Sequence, residues 1–377
     1  MVPVFVDVDT GVDDALALVY LLASEEAELV GIASTGGNVP VQQVCVNNLA
    51  LLALCRSVGI PVSRGSDQPL STPLRTAEDT HGPTGLGYAE LAAPTGELSA
   101  DDAAQAWIRA ARAYPGELIG LATGPLTNLA LALRIEPDLP RLLRRLVIMG
   151  GAFDYRGNTT PVSEWNIAVD PEAAAEVFAA WGATQPQAHA EPAHELPIVC
   201  GLNITESIAL TPKILARLAA AAGSPTTTMS VLDTRGTRSQ AANPLIRVLE
   251  DAVRFYFEFH FDQGEGFLAH LHDPFAAAVA LDPGLVRTRA ATVDVELDGT
   301  LTRGMTIADW NGHWGRPPNA AIAVAGAAAN LETSATSETS DTPERPGGPL
   351  ADVFFDRFIE RVGLFAQAVG LTSPDLG

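Results

Sequence analysis

Four carboxylates fall within eight residues near the start of the chain: Asp7, Asp9, Asp13 and Asp14. Carboxylates this close repel one another unless a cation sits among them. A hard, oxygen-preferring divalent ion of the Ca²⁺ or Mg²⁺ type is the simplest partner. The apolar run beginning at Pro3 predicts a buried strand, and the apolar spacing over 13–24 predicts a helix. Asp7 and Asp9, two apart on a strand, are then expected on one face. Asp13 and Asp14 open the helix, where the backbone dipole favours negative charge. Gly11 is expected to allow the sharp turn that folds the two pairs together. An acidic cap on a surface turn would need only one or two aspartates. The apolar flanks instead place this turn at the carboxyl end of a buried strand, where open α/β sheets bind ligands. An EF-hand does not fit, because the glycine is the fifth loop residue and Leu18 stands where the terminal glutamate belongs.

Polar residues recur at equivalent places downstream. Asn38 follows Gly36 and Gly37, and Thr123 follows Leu121-Ala122. Met149 precedes Gly150-Gly151, and the polar loop after it carries Asn158, Glu164 and Asn166. His272-Asp273-Pro274 sets an imidazole beside a carboxylate where a helix begins. Each has an ordinary reading alone. Asn38 could hold a left-handed turn, Asp273 could cap a helix with Pro274 at its first position, and His272 could be a packed histidine. Gathered at one sheet edge, they supply carboxylates for a metal, amides for hydroxyls and one titratable imidazole.

The elements that must position them alternate. Strands are expected at 28–35, 60–63, 117–122, 145–149 and 197–202, with helices over 41–56, 100–114 and from about 170. This order implies βαβ units and a mainly parallel open sheet flanked by helices. The second half predicts a helix over 226–261 and another from His272. A hairpin over 291–295 and 302–310 turns at Asp298-Gly299. A last strand at 320–324 and a closing helix over 352–369 follow. Segments 185–196 and 330–349 are expected to be inserted surface loops, the second of low complexity and disordered. No boundary divides the chain, so 1–377 is expected to be one domain.

With 377 residues, 47% of them hydrophobic, the chain can bury a large core. A net charge of −22 argues against a nucleic acid as partner. No apolar run approaches the ~20 residues of a membrane span, and Pro3 begins the first strand with no basic leader before it. Cys45, Cys55 and Cys200 lie in apolar settings and are expected to be reduced, which suits the cytoplasm.

The ordered motifs resemble those of the nucleoside hydrolases, the inosine–uridine preferring nucleoside N-ribohydrolases. They are Asp7-Val8-Asp9-Thr10-Gly11-Val12-Asp13-Asp14-Ala15, Gly36-Gly37-Asn38, Thr123-Gly124-Pro125-Leu126-Thr127-Asn128, Val147-Ile148-Met149-Gly150-Gly151, Gly157-Asn158 through Glu164-Trp165-Asn166, Asp170-Pro171-Glu172-Ala173 and His272-Asp273-Pro274. Gly304-Met305-Thr306 with Asp309 also fits, and the set runs in family order from residue 3 to about 325. The resemblance implies Ca²⁺-dependent hydrolysis of the N-glycosidic bond of ribonucleosides, giving free base and ribose, in a homodimer or homotetramer. It implies Asp9, Asp14, Asp273 and the Thr123 carbonyl as metal ligands, with Asp9 also the general base on a metal-held water. Asp13, Asn38, Asn158, Glu164 and Asn166 would hold the ribose, with Met149 beneath it. Trp165 and His81, the latter on a mobile loop over the site, complete the substrate-binding set, and His272 is the candidate acid for the departing base.

Three positions depart from the pattern: Thr10 where proline is common, Asn203 where aspartate is, and His260 where tyrosine or glutamine is. Two other functions compete. A haloacid-dehalogenase-like phosphatase also begins Asp-x-Asp-Thr after a strand, but needs a downstream lysine. The single lysine, Lys213, opens an amphipathic helix far from any strand end. A Ca²⁺-dependent protein that binds nucleosides without cleaving them is the non-enzymatic alternative, and the presence of both Asp9 and His272 weighs against it.

Overall fold

The computed structural model describes residues 1–94, 96–185, 194–326 and 348–371. A nine-stranded sheet organises them. In chain order its strands are β1 (Val2–Val8), β2 (Ala27–Ser34), β3 (Val62–Arg64), β4 (Ile119–Ala122), β5 (Arg145–Met149) and β6 (Ile198–Cys200). After a small pair, β7 (Ala209–Leu210) and β8 (Ala269–His270), come β9 (Val286–Val295), β10 (Thr306–Asp309) and β11 (Ala320–Gly326). The spatial order is β10-β9-β11-β6-β5-β4-β1-β2-β3. From β3 across to β11 all neighbours are parallel; β9 and β10 extend the edge antiparallel. The expected single α/β domain with a mainly parallel sheet is what forms.

Two apolar layers cover the sheet, and β1 feeds both. Val4, Val6 and Val8 join a core shared with the helices Val12–Leu22, Pro244–Asp262, His272–Leu281 and Pro349–Leu371. Phe5 joins the opposite core, with Trp107 and the helices Ala103–Ala113, Thr127–Ile135 and Pro171–Thr184. That is the two-residue alternation of a strand buried on both faces. β1 pairs with β2 on one side and β4 on the other, so the chain reverses direction across the sheet there. The crevice beyond β1 and β4 is thus the topological switch point, where open α/β sheets bind ligands.

The same alternation corrects one expectation. Asp7 does not share a site with Asp9. It lies on the Phe5 side, where its carboxylate accepts from Trp107 Nε1 at 2.7 Å and Asn128 Nδ2 at 2.9 Å. The strand stops at Val8, so Asp9 lies past its end and the two-residue period no longer applies. Burial pushes the Asp7 carboxyl up to about 7 against the pull of those two donors. Asp7→Ala would leave both donors buried and unpaired, and is expected to lower stability by about 3 kcal/mol in a denaturant melt.

Other boundaries also moved. The helix expected over 226–261 begins only at Pro244, with Asn243 accepting from the backbone N–H of Leu245 and Ile246. An Asn-Pro pair is a helix start, and it outweighs the apolar spacing before it. The expected hairpin forms as β9 and β10, joined by a ten-residue connection that contains Asp298-Gly299. Most of the two expected insertions, 186–193 and 330–347, lies outside the described residues. Among the described residues no helix is long and apolar enough to cross a membrane, and the three cysteines are free and buried.

Candidate active site

Two helix N-termini meet at the switch point. Val12–Leu22 brings Asp13 and Asp14 in its first turn, and His272–Leu281 brings Asp273 in its own. Asp273 is not a cap, because the residue preceding this helix is Leu271. Both positive helix ends favour carboxylates. Carboxylate oxygens of Asp13, Asp14 and Asp273 lie within 4.8 Å of one another. Asp9 joins them from the end of β1. Burial first, then repulsion from Asp14, raises its carboxyl well above the ordinary range. Burial and Asp14 push Asp13 up to about 8, and Asp14 and Asp273 are raised mainly by burial.

The hydrogen bonds show how far this charge is compensated. Asp14 Oδ2 accepts from Gly11 N at 2.9 Å and Asn38 Nδ2 at 3.2 Å, and its Oδ1 accepts from Thr123 Oγ1 at 2.7 Å. Asp9 Oδ2 accepts from Asn38 N at 2.8 Å, while Asp9 Oδ1 and Asn38 Oδ1 are buried without a partner. Among the described residues the only ionisable nitrogen within 4.0 Å of these carboxylates is His81 Nδ1, 4.0 Å from Asp13 Oδ1. That ring is held neutral, its pKa lowered to about 3 by burial and then by His260. Four buried carboxylates, an unpartnered carboxylate oxygen and no cation fit a hard divalent ion bound through oxygen.

Backbone closeness makes this possible. Gly11 has φ −91° and ψ −161°, an extended geometry open to any residue, so turn formation is not its role. A Cβ there would stand 2.6 Å from both Asn38 Nδ2 and His81 Nδ1. Likewise a Cβ on Gly37 would stand 2.1 Å from Asp9 Oδ2. Gly11→Ala is expected to cost about 1–3 kcal/mol through this overpacking. A thermal melt checks it, and an unchanged Tm would show that the approach is looser than drawn.

Above the acidic floor is a cleft of about 550 Å³, the size of a small-molecule site. Asp13, Asn38, His81, Thr123, Met149, Asn158, Glu164, Trp165, Asn166, His272 and Asp273 all line it, so nearly every residue singled out in the sequence converges here. Asn166 Nδ2 donates to the Thr123 carbonyl at 2.6 Å and to the Met149 carbonyl at 3.2 Å. Glu164 has a structural task as well. Its carboxylate accepts from the backbone N–H of Gly151, Asn166 and Ile167, fixing the loop to the helix Trp165–Val169. Asn158 Oδ1 accepts from Trp165 N at 2.9 Å. His81 is buried against the Tyr256 ring and accepts from Val12 N at 3.1 Å.

Comparison with known proteins bears on what this cleft does. A family profile described as "Inosine-uridine preferring nucleoside hydrolase" matches residues 4–332. The chain belongs to that family. Its fold is that of a nucleoside hydrolase, an enzyme acting on N-glycosyl bonds. The pyrimidine-specific ribonucleoside hydrolase RihA of Salmonella typhimurium is 34% identical over 324 residues, covering 85% of this chain and 93% of the relative. RihA of an Enterobacter species is 35% identical over 324 residues, covering 85% and 92%. Among solved structures, the purine-preferring ribonucleoside hydrolase from Gardnerella vaginalis superposes with a TM-score of 0.78. It is 26% identical and covers 97% of this chain and 99% of its own. A plant nucleoside hydrolase, PpNRh1, gives 0.74 at 28% identity, covering 96% and 98%.

The far end of the cleft carries a different set of groups. Tyr256, His260, Glu265, His270, Glu206 and Arg156 line it, and of these only His260 stood out in the sequence. Arg156 is engaged by Glu206 at 2.8 Å and Glu265 at 3.3 Å. Glu265, beside His270 and His260 and paired to Arg156, is held down at about 2. His260 is held at about 4 by burial and by His270. The sequence signal for Glu265 was only a Gly-Glu-Gly turn, and His270 stands on β8, a strand too short for periodicity to reveal.

Proposed function

We propose that the protein hydrolyses ribonucleosides to free base and ribose in a Ca²⁺-dependent reaction. The buried, uncompensated cluster of Asp9, Asp13, Asp14 and Asp273 carries this reading. Asp9, Asp14, Asp273 and the Thr123 carbonyl would hold the ion, the carbonyl keeping a second lone pair beside its bond to Asn166. When bound, the cation supplies charge that offsets the carboxylates and makes a nearby water easier to deprotonate.

The chain's own groups do the rest. Asp9 Oδ1, having no hydrogen-bond partner, takes the proton of the attacking water. Asn38 Oδ1, equally unpartnered, accepts from a ribose hydroxyl. Asp13, Asn158, Glu164, Trp165 and Asn166 complete the ribose pocket over Met149, with His81 closing one side. The acidic floor stabilises positive charge developing on the sugar, an effect magnified where water is excluded. Fixing the ribose also sets its anomeric carbon against the water.

His272 serves the leaving base under one condition. Its Nδ1 lies 2.8 Å from Thr205 Oγ1, and that hydroxyl gives its own proton to the Gly201 carbonyl at 3.2 Å. With the hydroxyl turned that way Nδ1 carries the ring proton, and Nε2 then donates only from the imidazolium. Burial and the neighbouring histidines disfavour that form, and negative charge building on the departing base favours it.

Base preference follows the relatives of higher identity, which are named pyrimidine-specific. Uridine and cytidine are expected to give higher kcat/KM than inosine and adenosine when free base is quantified in Ca²⁺-saturated buffer. Faster purine cleavage would reverse the preference. Binding without release of any base would instead support the non-catalytic binding protein. We further infer a cytoplasmic homodimer or homotetramer, supported by three buried free thiols and by the family pattern; size-exclusion with light scattering tests the assembly.

A further inference from the structure

His260, Glu265 and His270 form a second cluster of ligating groups, in the cleft wall away from the acidic floor. Atoms of all three lie within 4.8 Å of one another. We propose that this is a transition-metal site, binding Zn²⁺ through the Nε2 atoms of both histidines and the Glu265 carboxylate.

Three separate segments build it. His260 is in the last turn of the helix Pro244–Asp262. The chain then folds back, with Glu265 N donating to the His260 carbonyl at 3.0 Å, so the glutamate returns over the imidazole. His270 is held on β8 by its pairing with Ala209 of β7. Glu265 Oε2 stands 3.8 Å from His260 Nε2 and 3.6 Å from His270 Nε2. Tetrahedral Zn²⁺ with such ligands separates them by about 3.3 Å, so bringing Glu265 to that spacing from each histidine needs shifts of a few tenths of an ångström.

The protonation pattern suits a metal. His260 Nδ1 lies 2.9 Å from the Tyr256 carbonyl, which can only accept. Nδ1 therefore holds the proton and Nε2 presents its lone pair, the arrangement metal-ligating histidines adopt. His270 is more than nine-tenths buried, its Nδ1 has no partner, and its Nε2 faces the Glu265 carboxylate at 3.6 Å. Glu265 Oε1 accepts from Arg156, itself anchored on Glu206, which orients the carboxylate as outer partners of ligands do. Two imidazoles and one carboxylate suit Zn²⁺, whereas Ca²⁺ takes oxygen ligands. All three residues line the cleft, so the remaining coordination positions open onto it, and a nucleoside and Zn²⁺ would compete for that space.

The test is Zn²⁺ binding to the full-length protein at neutral pH with Ca²⁺ saturating, by equilibrium dialysis, with Co²⁺ absorption reporting coordination. One Zn²⁺ per chain is expected, not displaced by excess Ca²⁺, with affinity falling more than about tenfold in Glu265→Gln and in His270→Gln. Glu265 is part-exposed in a turn, so its variant should fold, and the Zn²⁺-induced rise in Tm should vanish with it. No uptake under saturating Ca²⁺, or uptake unchanged in both variants, would overturn the site. Base release that persists while zinc binding fails defeats this inference alone; zinc binding without base release under any condition defeats the hydrolase reading alone.

Discussion

Asp9→Asn is expected to lower kcat by about 10³-fold while the protein still folds. Asparagine keeps the shape of the side chain and retains one oxygen to accept from Asn38 N, the bond that fixes Asp9 in the wild type at 2.8 Å. What it removes is the basic oxygen at Oδ1, which is buried and has no other partner. A role confined to shaping the turn would survive this exchange, whereas a proton acceptor would not. Steady-state kinetics on uridine, read beside circular dichroism, separate the two. A kcat within about tenfold of wild type would remove Asp9 from the role of base.

Removing the cation should change stability as strongly as activity, and with a particular pH dependence. Without metal, Asp13 is pushed up to about 8, and Asp9, Asp14 and Asp273 are also raised. The folded, metal-free protein therefore binds protons that the unfolded chain has already released above about pH 4. Where the native state holds more protons, stability falls as pH rises. Chelated protein should thus be more stable near pH 5 than near pH 8, losing stability across that window. Saturating Ca²⁺ replaces the protons and should flatten the profile. At a thousandfold excess over Kd it adds about 4 kcal/mol, or about 5 °C in Tm for a chain of this size. Melts at several pH values, with chelator and with Ca²⁺, check this. A chelated profile that rises toward pH 8 would mean that the carboxylates are compensated within the protein.

Much of this was readable from the chain because the floor is built of local signals. Asp13 and Asp14 are adjacent, Asp273 opens a helix, and Asn38 and Thr123 follow strands, so each residue's place is fixed by its own element. Asp7 misled because alternation was carried one residue beyond the strand, and only the Trp107 and Asn128 donors reveal its true side. Gly11 was rightly singled out for the wrong reason, since its backbone is ordinary and the constraint comes from Asn38 and His81, distant in sequence. The irregular stretch before Pro244 kept helical spacing without being helical, because the Asn243 cap decides where that helix starts. Of the His260–Glu265–His270 cluster only His260 was visible, as a departure from the family pattern. The cluster depends on a turn folding back over a helix end and on a two-residue strand pair, neither of which has a periodicity.

The most direct measurement is the release of base and ribose from uridine by purified protein after chelation, followed by Ca²⁺ add-back. Equimolar uracil and ribose, formed without phosphate, lost on chelation and restored by Ca²⁺, is the expected result. Cleavage that continues undiminished in chelator would contradict a cation-dependent acidic floor. Bound but uncleaved nucleoside under every condition would contradict catalysis itself.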